Sequence, residues 1–332
     1  MEKGFIKMKF SGPDAVRLNE FCASENADVL VFAGGIRLSA TFLLREVVSE
    51  GQANENLFLF LTSFGGVPDD AYRICRFLQR RYKHITVVID SMCKSSGTLI
   101  ALGGGALAMS ETAELGPLDI QLAKMNEIGE EYSSGMVYGE ALSVLRRETF
   151  DVFKYFAKQM KEDSGMNLST KLAIDTAALI TNGLFSPVFG QLDPVKLGEN
   201  ERDINIVVEY GQRLAEYGKN LKEDALLKLR GKYPSHSFVI DREEAAKLFR
   251  RVRPLNDFEI WVFEKLGDNV WDGLIGKRIF IQYLTGEVPA NTNSTNPPEG
   301  GETDETSTID ESNESANGGA APNVAAEPRG VA

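Results

Sequence analysis

Five consecutive large apolar residues, Leu57-Phe58-Leu59-Phe60-Leu61, constrain this chain more than any other feature. In an extended strand successive side chains point to opposite faces, so this run puts bulk on both sides of a sheet. A strand of that kind needs cover on both faces, as in a mostly parallel sheet packed between helices. The surroundings repeat the pattern. Residues 29–33, VLVFA, read as a strand closed by Gly34-Gly35, and residues 86–89, TVVI, form a run that breaks at Asp90-Ser91. Between these runs the spacing predicts helices over 39–50 and 69–81. Ser39 is placed to cap the first, and Phe42, Leu43, Glu46 and Val47 carry its period. Tyr72, Ile74, Cys75, Leu78 and Tyr82 carry the period of the second. Strand and helix in alternation define an α/β chain of βαβ units.

The remainder is more helical. A long helix is expected over 141–161, with Leu142, Leu145, Thr149, Val152, Phe153 and Phe156 as a core or interface stripe. Another is expected over 169–181, ended by Asn182-Gly183, and a third over 204–217 after a turn-rich stretch. The character changes after Gly218. A charged helix, the turn Tyr233-Pro234-Ser235-His236, a short strand at 238–240 and a helix capped by Asp241 suggest a small, mainly helical appendage. The expected division is therefore a main domain over 1–219, an appendage over 220–286 and an acidic tail over 287–332. The tail is Asn, Thr, Ser, Gly, Glu, Pro and Ala, too polar to offset its ordering entropy by burial, and is expected to be disordered.

Composition removes several classes of function. The 332 residues carry a net charge of −12, which speaks against a nucleic-acid-binding surface. Three cysteines, with no CxxC and no cysteine–histidine cluster, give neither a metal site nor a disulfide framework. Neither GxxxxGK[ST] nor GxGxxG follows a first strand, so no nucleotide cofactor is expected. No run of about 18 apolar residues offers a membrane span, and the expectation is a soluble, cytoplasmic protein.

Two small-residue turns follow the second and third strands: SFGG at 63–66 and CKSSG at 93–97. Both fall where parallel strands end, the usual edge for ligand sites in such sheets. Ser95 stands where a strand turns into a helix, a position that can present a hydroxyl as nucleophile. Gly65 and Gly66 permit close backbone approach, and the amides of Ser96 and Gly97 open the helix, so these groups can face a developing oxyanion. The plainer alternative is that Ser95 or Ser96 caps the helix and that the glycines serve only backbone angles.

The segments LFLFLTSFGGVPDDAYRICRFLQ, ITVVIDSMCKSSGTLIALGG and ETAELGPLDIQL together resemble the Clp-protease/crotonase fold. Within it they are most similar to the serine dehydrogenase proteinase family, relatives of signal peptide peptidase A. EYGQRL at 209–214 and YPSHSFVIDREEA at 233–245 are similar to later motifs of that family. The resemblance implies a serine hydrolase acting on peptide or protein substrates and a homo-oligomer. Ser95 then takes the nucleophile position, with Gly65, Gly66 and the Ser96 amide around the oxyanion. The Clp peptidases keep a histidine base on the strand after the nucleophile helix, but the matching stretch, residues 116–121, has none. The two histidines are His84, expected at the far end of its strand, and His236, in the appendage. The aspartate of the Clp triad corresponds best to Asn182. Signal peptide peptidases use a neutral lysine instead. Lys124 is the first choice for that role, ahead of Lys154 and Lys94, and Asp119 is a further candidate for polarising the site. Two other readings stand beside the peptidase: a non-catalytic oligomeric scaffold that binds peptides, and a crotonase-type acyl-CoA enzyme, against which the SSGTLIAL segment speaks.

Overall fold

The run 57–61 sits at the centre of a six-stranded sheet in a computed structural model. The structure describes residues 9–118, 121–126, 129–134, 136–235, 237–276 and 278–286, without the side chains of 121–138 and 140. The first half contains β1 (Lys9–Phe10), α1 (Gly12–Glu25), β2 (Ala27–Ala33), α2 (Leu38–Gly51), β3 (Asn56–Thr62), α3 (Pro68–Gln79) and β4 (His84–Ile89). Then follow β5 (Met92–Cys93), α4 (Ser96–Leu102), β6 (Ala106–Met109), β7 (Glu114–Leu115), β8 (Gln121–Asn126), β9 (Gly129–Ser134) and α5 (Met136–Asp163). The rest comprises α6 (Thr170–Phe189), α7 (Pro194–Gly218), α8 (Ala225–Gly231), α9 (Arg242–Leu248) and β10 (Val252–Arg253). It closes with α10 (Asp257–Leu266), α11 (Asp268–Leu274), β11 (Phe280–Tyr283) and β12 (Thr285–Gly286). Backbone contacts group Met1–Pro289 as one unit and Ala290–Ala332 as another, and the second lies wholly outside the described residues.

The sheet order is β10-β6-β4-β3-β2-β11, parallel except for the antiparallel edge strand β11. β3 shows why its sequence is apolar throughout. Leu57, Leu59 and Leu61 join a cluster with Ile74, Leu78, Leu99 and Leu102, under α3 and α4. Phe58 and Phe60 join the opposite cluster with Leu18 of α1 and Phe258, Trp261 and Val262 of α10. Alternate side chains therefore feed two cores, one on each face.

Residues 220–286 do not stand apart from this sheet. They supply β10 and β11, and α10 covers the second face. The change in composition after Gly218 marks a change of surface, not the edge of the core. One anchor of this segment is Glu259, fully buried, which accepts from both terminal nitrogens of Arg253 at 2.7 and 2.6 Å and from the Asn256 amide at 2.9 Å. Glu259→Ala leaves the guanidinium and the helix cap without their acceptor. It is expected to cost about 2–3 kcal/mol, read by urea denaturation.

Local expectations shift in detail. Ser39 does not cap α2: the cap position falls on Arg37, and the buried side is Ala40, Thr41, Leu44 and Val48, leaving Phe42 60% exposed. α6 is capped by Ser169, whose Oγ accepts from the Leu172 amide. It does not end at Asn182-Gly183 but continues to Phe189. A glycine inside a helix costs only about 1 kcal/mol, and packing against α5 along buried Ala173, Ala177 and Thr181 outweighs it. The α5 stripe is as expected in position, each of its six residues being half-buried. α6 is also, by length and composition, the one helix among the described residues apolar enough to cross a membrane, and most of it is exposed.

Candidate active site

Four short segments lie side by side at the carboxyl end of the sheet. The Ser63 amide donates to the Met92 carbonyl (2.8 Å) and the Lys94 amide to the Ser63 carbonyl (2.9 Å). β5 pairs with β7, and Leu115 of β7 exchanges both backbone hydrogen bonds with Ile240, at 2.9 and 3.0 Å. Out of this frame the chain turns at Ser95 into α4. Ser95 has φ +50° and ψ −115°, a conformation that non-glycine residues rarely adopt and that costs on the order of 1–3 kcal/mol.

Neighbouring bonds hold that conformation in place. The Gly97 amide donates to the Lys94 carbonyl at 2.7 Å and the Leu99 amide to the Ser95 carbonyl at 3.2 Å. The Thr98 hydroxyl lies 3.0 Å from the Cys93 carbonyl and 2.8 Å from that of Gly116, and accepts from the Gly116 amide at 3.2 Å. Ser95 occupies the cap position of α4, yet its side chain makes no capping bond, and the residue is half-buried. Helix capping therefore does not explain a serine there. The Ser96 hydroxyl is buried and donates to the Gly66 carbonyl at 2.7 Å.

The glycine turn lies directly against this elbow. Gly65 and Gly66 have φ +107° and +145°. A Cβ on Gly65 would stand 2.8 Å from the Cβ of Ser95, and one on Gly66 would stand 2.1 Å from the Ile36 carbonyl oxygen. Only glycine fits either place. The two amides differ. That of Gly65 already donates to Ser63 Oγ at 3.0 Å, so the expectation that both glycine amides face a substrate is corrected. The Gly66 amide has no acceptor among the described residues, and neither has that of Ser96, the first N–H of α4. Two uncommitted amides beside a turn that presents a hydroxyl can stabilise a developing negative charge. Gly97 serves packing instead: a Cβ there would meet Cys93 Sγ at 3.1 Å, and its amide is used by Lys94.

The candidate proton acceptors fall in several places. Lys94 is buried and its Nζ lies 2.7 Å from Glu114 Oε2 and 3.4 Å from the Phe238 carbonyl, so its head group is engaged by those two partners. Lys154 is exposed on α5 and pairs with Asp151 at 3.0 Å. His84 is exposed at the start of β4, opposite the end that leads to Ser95. Asn182 is exposed on α6. Asp119 lies outside the described residues, as does the side chain of Lys124, whose backbone pairs with Glu131 in the β8–β9 hairpin. His236 also lies outside them, but the chain just after it is placed. Phe238 faces Lys94 through its carbonyl, and Ile240 pairs with Leu115. The segment 238–240 is thus part of the site's framework, which nothing local in its sequence announces. Among the described residues, no group of three or more His, Cys, Asp and Glu could hold a metal ion.

Cys93, two residues before Ser95, is not a rival nucleophile. Burial pushes its thiol well above the ordinary value, against the smaller opposing pull of the Lys94 cation. Burial likewise pushes Cys75 up to about 12. Both thiols stay protonated in the fold while an unfolded chain ionises above its ordinary value, so their contribution is complete below about pH 9 and is lost as pH rises toward the folded values. Stability is expected to fall by up to about 1.4 kcal/mol per pH unit per thiol in that window. Urea denaturation of the protein and of Cys75→Ala at pH 8 and pH 10 reads this; an equal slope in both proteins would contradict it.

No family model matches the chain, and no curated protein matches it. Solved structures of similar shape include the 1510-N membrane-bound stomatin-specific protease in two forms. A serine-to-alanine variant is 17% identical, with a TM-score of 0.29, over 45% of this chain and 68% of that one. A lysine-to-alanine variant in complex with a substrate peptide is 17% identical, with a TM-score of 0.29, over 45% of this chain and 64% of that one. A likeness of this extent carries no argument about what this chain does.

Proposed function

We propose that this chain is a serine hydrolase of peptide substrates with a fold of the Clp-protease/crotonase type, related to the serine dehydrogenase proteinases. The observation that carries the reading is the backbone of Ser95, held at φ +50° and ψ −115°, with the amides of Gly66 and Ser96 beside it and without an acceptor among the described residues. A merely structural serine has no need of so costly a conformation. Ser95 Oγ attacks the substrate carbonyl and loses its proton to a base. The Gly66 and Ser96 amides then hold the tetrahedral oxyanion, and the base gives the proton to the amine as the C–N bond breaks. Water, deprotonated by the same base, then attacks the acyl group, and the ester bond to Ser95 Oγ breaks as the serine regains its proton.

Two residues compete for the base. Lys124 follows the Gly116-Pro117 turn and would have to be neutral. His236 precedes by two residues Phe238, whose carbonyl lies 3.4 Å from Lys94 Nζ, and imidazole is the commonest general base near neutral pH. Lys124→Ala and His236→Gln, each assayed for the rate of fluorophosphonate capture, separate them. General-base loss is expected to slow capture by about 10²–10⁴-fold. The reading as a whole is tested by fluorophosphonate treatment followed by peptide mapping. An adduct on Ser95 is expected, and a wild-type chain that takes up no probe would leave the peptide-binding scaffold as the better account.

A second copy of the chain is the proposed partner. On α6, Leu172, Leu179 and Leu184 are 51%, 73% and 55% exposed, and the helix carries only Lys171 and Asp175 as charges. Its neighbour α5 mixes both signs, with Arg146, Arg147, Lys154 and Lys158 among Glu148, Asp151 and Glu162, which suits a self-complementary protein contact better than a cationic membrane face. Leu179→Glu combined with Leu184→Glu is expected to lower the sedimenting mass; an unchanged mass would remove α6 from the contact.

A further inference from the structure

Lys94 stands next to Ser95, is nearly buried, and points its charge at two elements far away in sequence. Its Nζ lies 2.7 Å from Glu114 Oε2, with side chains only 11% and 15% exposed, and 3.4 Å from the Phe238 carbonyl. Its alkyl stem crosses Gly116: a Cβ on that glycine would come within 2.9 Å of Lys94 Cδ, 3.3 Å of Lys94 Cα and 3.3 Å of the Ser95 nitrogen. The backbone of the same residue bridges the other way, its amide donating to Ser63 and its carbonyl accepting from Gly97. Lys94 is therefore the one residue of the elbow bonded to the glycine turn through Ser63, to α4 through Gly97, to β7 through Glu114 and to the 238–240 segment.

We propose that Lys94, fixed by Glu114, is a positioning residue that holds the Ser95 elbow in register with the Gly66 and Ser96 amides. The proposal rests on the serine-hydrolase reading for its kinetic consequence, but not for its structural one. A lysine stem over a bare glycine, ending on a shielded carboxylate, fixes the residue before the nucleophile. It resists relaxation of a backbone conformation that strain would otherwise release. A long cation nearly removed from water is retained only where its partner geometry is good, and truncating either partner strands the other charge. Glu114 is for that reason part of the device, and Gly116 is its third component, because any side chain there displaces the stem.

The test uses the full chain. Wild type, Lys94→Met, Lys94→Arg, Glu114→Gln, the Lys94→Met/Glu114→Gln pair and Gly116→Ala are compared, with Lys83→Met as an exposed-lysine control whose partner is Glu55. Fluorophosphonate capture is resolved into a binding constant and a maximal rate. The maximal rate is expected to fall about 10- to 100-fold in Lys94→Met, Glu114→Gln and Gly116→Ala, with the binding constant unchanged. The double variant is expected to be no slower than Lys94→Met, Lys94→Arg to recover most of the rate, and Lys83→Met to match wild type. Amide hydrogen exchange over residues 92–99 is expected to quicken in the slow variants while β2 and β3 keep their protection. A maximal rate within about twofold of wild type in Lys94→Met, or losses that multiply in the double variant, would overturn the proposal. So would unchanged exchange over 92–99, which decides the matter even if wild type takes up no probe. That last outcome would instead sink the hydrolase reading by itself.

Discussion

Ser95→Ala is expected to abolish fluorophosphonate capture and to lower peptide hydrolysis by a factor on the order of 10⁶ in kcat. What survives is the contribution of the oxyanion amides and substrate binding, roughly 10³–10⁴-fold over water. The cap of α4 is untouched by the change, because the Ser95 side chain makes no capping bond to the helix. The fold should not gain either. Alanine at φ +50° carries the same strain as serine, since both have a Cβ. Ser95→Gly separates strain from chemistry. It is as inactive as Ser95→Ala, but glycine accepts this backbone at no steric cost. A strain of about 1–3 kcal/mol is then released against about 0.5–1 kcal/mol for the more flexible unfolded chain. Ser95→Gly is therefore expected to be more stable than Ser95→Ala by about 1 kcal/mol in urea denaturation. Equal stabilities would show that the elbow is not strained in solution, and would remove the observation on which the nucleophile assignment rests.

Gly66→Ala is expected to have the second-largest effect, on rate and stability together. A Cβ there lies 2.1 Å from the Ile36 carbonyl oxygen and 2.9 Å from its carbon, both backbone atoms that no side-chain rotation can move aside. The backbone itself is at φ +145°. The turn must shift, and with it the amide proposed to face the oxyanion and the carbonyl that holds Ser96 Oγ at 2.7 Å. Loss of one oxyanion donor costs about 10²–10³-fold in kcat. Displaced backbone adds a stability loss of about 1–3 kcal/mol. Gly65→Ala clashes with Ser95 Cβ at 2.8 Å, but its amide is spent on Ser63. Its loss of rate should accordingly come from misplacing the nucleophile, and should be accompanied by slower fluorophosphonate capture. A Gly66→Ala protein with wild-type kcat would remove the Gly66 amide from the mechanism.

Much of the frame was legible because it is local. The apolar runs 29–33, 57–61 and 86–89 each became a buried parallel strand, since four or five successive side chains of this kind need cover on both faces. The α3 face was legible for the same reason, with Ile74, Cys75 and Leu78 at helical spacing. The α2 face was not: Phe42 and Leu43 are as apolar as Leu44, and only the direction from which β2 and β3 approach decides which of them is buried. β10 was illegible for want of length, being two residues whose strand character exists only through pairing with β6.

Composition and pattern by themselves determined an α/β chain, the strand-to-helix serine and the paired glycine turns. They did so because periodicity and backbone permissiveness are properties of a few adjacent residues. The tertiary structure alone decided that Ser95 is held in a costly backbone conformation and not used as a cap. It alone decided that the Gly65 amide is occupied while those of Gly66 and Ser96 have no acceptor among the described residues. It alone brought residues 238–240, more than a hundred positions away, against Lys94 and Leu115. Those are facts about which distant donors and acceptors meet, and a chain read in order contains no record of its own crossings.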